Sequence, residues 1–360
     1  MINVTKPYLP PEQDYQAYIK DIWKRNWLTN NGPLVNELEL RLKEFLNLPH
    51  LLFVNNGTTA LQIAIKALQL TGEIITTPFS YVATTSVICW ENCNPVFVDI
   101  DPKTYNIDPS KIEAAITSQT SAILATHVFG YPCDIDAIQA IAKKTNLKVI
   151  YDSAHAFGTK FKGNSIFMYG DINTTSFHAT KLFHSCEGGG VFTMNAELLR
   201  KMSLLRNFGH TSPIDIEGIG INGKNSELHA AMGLCNLKYI DEILKNRKKQ
   251  WQQYAILLKG LKVKLQNDGL MNDDYNYSYF PIVFETEEML MKSIEALNMQ
   301  YVYPRRYFYP SLNTLDYVNK TRCAVSEKIA SRIICLPLFD DLTIAEQAMI
   351  ARILLRTQNN

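Results

Sequence analysis

The chain has 360 residues, with 36 Lys and Arg against 35 Asp and Glu and a formal net charge of +1. That balance gives no general attraction for nucleic acid or an anionic membrane, and no run of about 18 apolar residues is present to span one. A hydrophobic content of 46% and a charged content of 20% exclude a disordered or fibrous chain. The length predicts a large α/β domain over residues 1–240 followed by a smaller α/β domain over 241–360. The first residues, MINVTKPYLPPEQD, carry charge and prolines where a signal peptide needs an apolar run, so a cytoplasmic protein is expected. Cysteines at 89, 93, 133, 186, 235, 323 and 335 lack both paired spacing and the CxxC-with-histidine pattern of a metal site. Reduced, mostly buried thiols and no metal follow.

Along the chain, strands and helices take turns. LLFV (51–54) reads as a strand, AsnAsnGlyThr as a turn, and Leu61, Ile63, Ala64, Ala67 and Leu68 as the apolar side of a helix. EIITTP (73–78), NPVFVDI (94–100), SAILATHVFG (121–130) and LKVIYD (147–152) repeat the strand pattern, with helical patterns near 110–116 and 134–145. Runs without clean alternation fit strands covered on both faces of a parallel sheet. TTSFH (174–178) and GVFTM (190–194) follow with too little between them for a crossover helix, which makes the sheet mixed. A long helical pattern runs from Ser226 to about Leu261. After it come a strand at 277–285, helices near 287–297 and 343–355, and the apolar segment 334–339.

Three segments carry chemistry. Gly57 relieves a turn, and Thr58 with its neighbouring amides at a helix start offers donors to a phosphate, although the same turn opens many helices that bind nothing. In YDSAHAFG (151–158), Asp152 ends an apolar strand, where open α/β sheets place their ligands. A carboxylate there can pair with a protonated pyridine nitrogen or simply cap the next turn. His155 can reach a phenolic oxygen or be an ordinary buried histidine. In SFHATKLFHSCEGGG (176–190), Lys181 lies among Phe177, Leu182, Phe183 and three glycines, which is not a surface composition. Only lysine can bond an aldehyde carbon, be displaced by an incoming amine, and then shuttle a proton. Ser176 can add a hydroxyl to the phosphate cup. An acid, an amine and a Gly-Thr turn in this arrangement suit pyridoxal 5′-phosphate (PLP).

The ordered set NNGTTAL, TPFSYVAT, YDSAHAFG, SFHATKLFHSCEGGG and GINGKNSELHAA resembles the DegT/DnrJ/EryC1/StrS aminotransferases over residues from about 25 to 310. The resemblance implies an α/β fold of the fold-type I PLP class, with a mixed, mostly parallel seven-stranded sheet between helices. It places Lys181 as the Schiff-base lysine, Asp152 as the partner of the pyridine nitrogen, and His155 beside the phenolic oxygen. Gly57, Thr58 and Ser176 match phosphate ligands, and Tyr81 matches an aromatic that stacks on the ring. Asn222 matches an asparagine that reaches the phosphate from the neighbouring subunit, so a homodimer with shared active sites is implied; by itself Asn222 reads as a turn residue. LeuPheHisSerCys after the lysine departs from the family's usual Thr- and Gly-rich stretch, which leaves Ser185 and His184 without an assigned role.

Substrate contacts are expected from Thr29 and Asn30 in TrpLeuThrAsnAsnGlyPro (27–33), and from Arg305, Arg306, Tyr307 and Tyr309 in TyrProArgArgTyrPheTyrPro (303–310). Guanidinium forks suit a pyrophosphate; surface arginines and interface tyrosines are the alternative. The implied reaction moves the amino group of L-glutamate to a nucleotide-linked keto sugar. The expected substrate is dTDP-4-keto-6-deoxyglucose and the product dTDP-4-amino-4,6-dideoxyglucose, for a surface polysaccharide such as O-antigen. Amination at C3 uses the same chemistry and stays open. The related dehydrase has histidine in place of the lysine, so Lys181 argues against it, and an intact Lys181, Asp152 and Ser176 argues against a non-catalytic regulator.

Overall fold

A computed structural model describes residues 1–272 and 274–359. The chain opens with strand β1 (Ile2–Asn3) and helices α1 (Glu12–Arg25) and α2 (Pro33–Leu46). Strand β2 (Leu51–Val54), helix α3 (Gly57–Ala67), β3 (Glu73–Thr76), α4 (Val82–Trp90), β4 (Asn94–Phe97), β5 (Thr120–Thr126), α5 (Ile135–Thr145) and β6 (Lys148–Asp152) follow. A small hairpin, β7 (Lys160–Phe161) and β8 (Asn164–Ser165), leads to β9 (Ile172–Ser176), β10 (Gly189–Phe192), α6 (Ala196–Arg206), α7 (Glu227–Leu237) and α8 (Ile240–Leu257). The remainder comprises β11 (Val263–Leu265), β12 (Phe280–Phe284), α9 (Glu287–Asn298), β13 (Val302–Tyr303), α10 (Ala324–Ala330), β14 (Ile333–Leu336) and α11 (Ile344–Asn359).

The main sheet has seven strands in the order β2-β10-β9-β6-β5-β3-β4. All pairs are parallel except the two made by β10, which runs antiparallel to both β2 and β9. The short stretch between β9 and β10 forces that reversal, as its length predicts. Register then gathers the site: Thr126 pairs with Asp152, Asp152 with Thr174, and Gly189 with both Ser176 and Val54. The C-terminal ends of β2, β6 and β9 therefore share one edge. A second sheet, β11-β12-β14, is antiparallel throughout, and β1 pairs with β13.

Helix α2 illustrates why these segments fold as they do. Pro33 stands at its first turn, where a missing N–H costs nothing, and Asn47 closes it in the left-handed region at φ 51°. Leu34, Leu38, Leu42 and Leu46 repeat every fourth residue and are buried in the main core beside Phe53. Burying each such side chain contributes about 1.5–3 kcal/mol. Two acidic anchors hold the helix. Glu227, fully buried at the start of α7, accepts from the amides of Leu34 (3.0 Å) and Val35 (2.9 Å), while Glu39 accepts from Phe53 N and pairs with buried Arg206.

Several elements differ from the sequence expectation. The pattern near 110–116 forms two short 3-10 turns, Pro109–Lys111 and Glu113–Ala115, because Pro109 and the Asp108 cap favour a tight turn that is not extended. The long pattern from Ser226 is two helices broken at Lys238 and Tyr239. α8 spans two cores, with Ile240 and Ile243 in the main one and Trp251 and Tyr254 in the one formed with β12, α9 and α11. Helices α1, α2, α4, α6 and α10 lay outside the sequence expectation. All seven cysteines are free, with Cys186 exposed, Cys89 half-buried and the other five buried, as their scatter predicts. Among the described residues no helix is long and apolar enough to cross a membrane.

Candidate active site

A cavity of about 260 Å³ opens at the sheet edge where β2, β6 and β9 end. Gly57, Thr58, Tyr81, Asp152, His155, Ser176, Lys181, Arg305 and Tyr307 all line it. The topology explains the meeting: β2, β6 and β9 run the same way and end at one edge of the sheet, and the turns after them deliver residues far apart in sequence.

At one wall, Asn56 caps α3 by accepting from Thr59 N at 2.7 Å. The amides of Gly57 and Thr58 are then the helix's orphan donors, a standing invitation to an anion. Crowding is tight here. A β-carbon on Gly57 would lie 2.9 Å from Ser176 Cβ, and one on Gly189 would lie 2.5 Å from the carbonyl oxygen of Asn56. The Gly-rich strand start thus lets the β2 turn and the end of β9 close together.

Asp152 is buried, and its two oxygens are held separately: Oδ2 accepts from Thr84 Oγ1 at 2.7 Å and Oδ1 from Ala154 N at 3.1 Å. Burial pushes its carboxyl up from the ordinary range, while those two bonds and the Lys181 charge pull against it. Lys181 is half-buried on the loop after β9. Burial lowers its amine to about 8; Asp152 opposes that shift and Arg305 adds to it.

His155 is buried between aromatic rings, stacked on Phe308 at 5.5 Å with an interplanar angle of 6° and tilted against Tyr279 at 4.6 Å. Burial drives it well below the usual histidine range, and Lys181 adds to that, so the ring is neutral at pH 7. Its Nδ1 is buried with no hydrogen-bond partner among the described residues.

The other expected residues divide. Tyr81 caps the start of α4 and is half exposed at the cavity mouth. Arg305 lines the cavity and lies over the Tyr307 ring at 4.7 Å. Arg306 does not line it; its guanidinium binds Glu287 (2.7 Å) and the Ser331 carbonyl (2.9 Å) and lies 3.6 Å from the Tyr309 ring centroid. Tyr309 is exposed beside it. Thr29 and Asn30 are exposed on the loop between α1 and α2, where the Thr29 carbonyl accepts from Trp27 and Asn30 is left-handed at φ 61°. Asn222 is also exposed, with its Oδ1 accepting from Lys224 Nζ at 2.8 Å. It lies outside the cavity of its own chain.

The sequence reading missed Thr84, which grips Asp152 directly, and Phe308 and Tyr279, which cage His155. Thr84 sits four residues after Ser80 at the start of α4, a helical repeat of hydroxyls inside an apolar segment that could have marked it.

The profile of the DegT/DnrJ/EryC1/StrS aminotransferase family matches residues 11–355. The chain is 40% identical over 363 residues to a dTDP-4-amino-4,6-dideoxy-D-glucose transaminase of Escherichia coli, with 98% of each chain covered. It is 43% identical over 351 residues to the protein of that name in Shigella dysenteriae, with 95% of each covered. The crystal structure of DesI with its TDP-sugar product superposes with a TM-score of 0.92 at 30% identity, covering 99% of this chain and 92% of that one. With the profile matched almost end to end and two full-length relatives above 30% identity, this chain belongs to the DegT/DnrJ/EryC1/StrS aminotransferases.

Proposed function

We propose that the protein is a PLP-dependent aminotransferase of the cytoplasm that moves the amino group of L-glutamate to C4 of dTDP-4-keto-6-deoxyglucose, giving dTDP-4-amino-4,6-dideoxyglucose. The observation that carries the reading is the meeting of Lys181 and Asp152 in one cavity with the Gly57 turn and Ser176. The fit to PLP is supported by the unpartnered Nδ1 of His155, by the orphan amides at Gly57 and Thr58, and by the crowding at Gly57 and Gly189 that leaves room for backbone but not side chain. The C4 product appears in the names of the two relatives at 40% and 43% identity, which favours C4 over C3.

When bound, PLP supplies an aldehyde that takes the amino nitrogen and a ring that accepts the electron pair released at the substrate carbon. Lys181 Nζ would hold the cofactor covalently, and its lowered pKa of about 8 leaves roughly a tenth of the free amine neutral, and so able to accept a proton, near pH 7. As a free amine, Lys181 would take up and return the proton at the substrate carbon through Nζ. Asp152 offers its carboxylate to the ring nitrogen and keeps that nitrogen protonated. His155, neutral, donates toward the phenolic oxygen, and Tyr81 covers a ring face. Gly57, Thr58 and Ser176 hold the phosphate, with Asn222 reaching it from the second subunit of a homodimer. Arg305 and Tyr307 border the nucleotide sugar within the cavity, whereas Thr29, Asn30, Arg306 and Tyr309 lie outside it on this chain.

Incubation with dTDP-4-keto-6-deoxyglucose and glutamate, with the product examined by NMR, tests the reading. Nitrogen at C4 is expected; unchanged substrate, or nitrogen at C3 of a 3-keto isomer, would overturn it.

A further inference from the structure

Beside Asp152 runs a row of three buried hydroxyls, of which Ser80 and Thr126 also line the cavity. Thr84 Oγ1 donates to Asp152 Oδ2 at 2.7 Å, Ser80 Oγ lies 2.8 Å from Thr84 Oγ1, and Thr126 Oγ1 lies 3.0 Å from Ser80 Oγ. None of the three is more than 4% exposed, which limits the access of water to these bonds. Different elements supply them: Ser80 and Thr84 lie one turn apart at the start of α4, and Thr126 ends β5 in register with Asp152.

The direction of the row is fixed by proton count. A hydroxyl has one proton to give, and an ionised carboxylate only accepts. Thr84 commits its proton to Asp152 and must accept from Ser80; Ser80, its proton committed in turn, accepts from Thr126. All three O–H dipoles therefore point toward the carboxylate, and each polarises the next.

We propose that Thr84, Ser80 and Thr126 are positioning residues that form a hydroxyl relay, orienting the Asp152 carboxylate and holding it as an anion. The proposal rests on the reading of Asp152 as the partner of the cofactor ring nitrogen. Burial works against ionisation here. The cation facing Asp152 is Lys181, whose own amine is influenced by Arg305, while His155 is neutral and the strand neighbours Thr126 and Thr174 are uncharged. The bonding and proton count of Lys181 would change as a bound cofactor engages and releases its nitrogen. The relay does not change in this way, so it is the constant part of the environment that keeps Asp152 charged through turnover.

The test uses the whole cofactor-free protein with 13C-labelled aspartate, the Asp152 carboxyl resonance being identified by its loss in Asp152→Asn. Thr84→Val should raise the proton affinity of Asp152 about tenfold or more, the size of one hydrogen bond to a charged group. Thr126→Val, two bonds away, should raise it about twofold through weakened polarisation. Thr84→Ser should restore the wild-type midpoint, and PLP affinity measured by fluorescence titration should fall in the same order. A wild-type midpoint in folded Thr84→Val, or in Thr126→Val, would overturn the relay; should Thr84→Val not fold, Thr126→Val decides alone. If the midpoints move as stated but wild type binds no PLP, the relay stands and the proposed function falls.

Discussion

Gly57 and Ser176 sit so close that a β-carbon on the first would lie 2.9 Å from the β-carbon of the second, below any normal contact. One opens α3 and the other ends β9, so the gap between them is the closure of the proposed phosphate cup. Gly57→Ala is expected to push Ser176 outward, destabilise the fold by about 1–3 kcal/mol as overpacking does, and weaken PLP binding more than it weakens folding. Fluorescence titration with PLP alongside urea unfolding checks this. Unchanged affinity would remove Gly57 and Ser176 from the phosphate site.

Lys181→Ala should abolish transamination while leaving the far-ultraviolet circular dichroism unchanged, because the side chain lies at a cavity wall and supports no core contact in the hydrophobic clusters. Product formation from glutamate and keto sugar is the measurement. Turnover at the wild-type rate would refute the role assigned to Lys181.

The pH dependence follows from the same amine. Burial, opposed by Asp152 and aided by Arg305, lowers Lys181 to about 8, while neutral His155 stands beside it. Only the neutral amine attacks an aldehyde, so the rate of PLP uptake should climb as pH passes about 8 and then level off. Asp152→Asn should move the midpoint down and Arg305→Ala should move it up. Stopped-flow absorbance checks both signs; midpoints that move together, or a rate independent of pH, would contradict the assignment.

Asn222 is exposed on its own chain and outside that chain's cavity, as the proposal of a shared site requires. Asn222→Ala and Lys181→Ala should each be inactive alone. Mixed and reassembled, they should recover about a quarter of wild-type activity, since half of the dimers then hold one intact site. No recovery would place Asn222 outside the partner's site.

Glu227 is fully buried, binds two amides at the start of α2 and faces Arg25 at 3.3 Å. Glu227→Ala should cost about 3–5 kcal/mol, because it leaves those groups buried without an acceptor. Thermal unfolding measures it, and a loss near zero would show that water replaces the carboxylate.

The site was legible in the sequence wherever its chemistry is local. Lys181 in an apolar, glycine-flanked loop, Asp152 at a strand end and Gly57-Thr58 at a helix start each combine residue type with neighbours in the chain. The spacing of Ser80 and Thr84 hints at a shared face, but what they and Thr126 serve was not legible, because it depends on a carboxylate 68 residues from Thr84. Arg305 and Arg306 look alike in sequence, yet alternate backbone directions send one to the cavity and the other to Glu287.

Read alone, the sequence determined the alternation of strands and helices, the reversal of β10 and the candidate reactive groups, since periodicity, loop length and side-chain chemistry are properties of short segments. Tertiary structure decided the strand order, the burial that lowers Lys181 and opposes ionisation of Asp152, and the hydroxyl row aimed at that carboxylate. Those depend on desolvation and on hydrogen bonds between residues far apart in the chain, and such terms exist only once the sheet has brought the distant segments together.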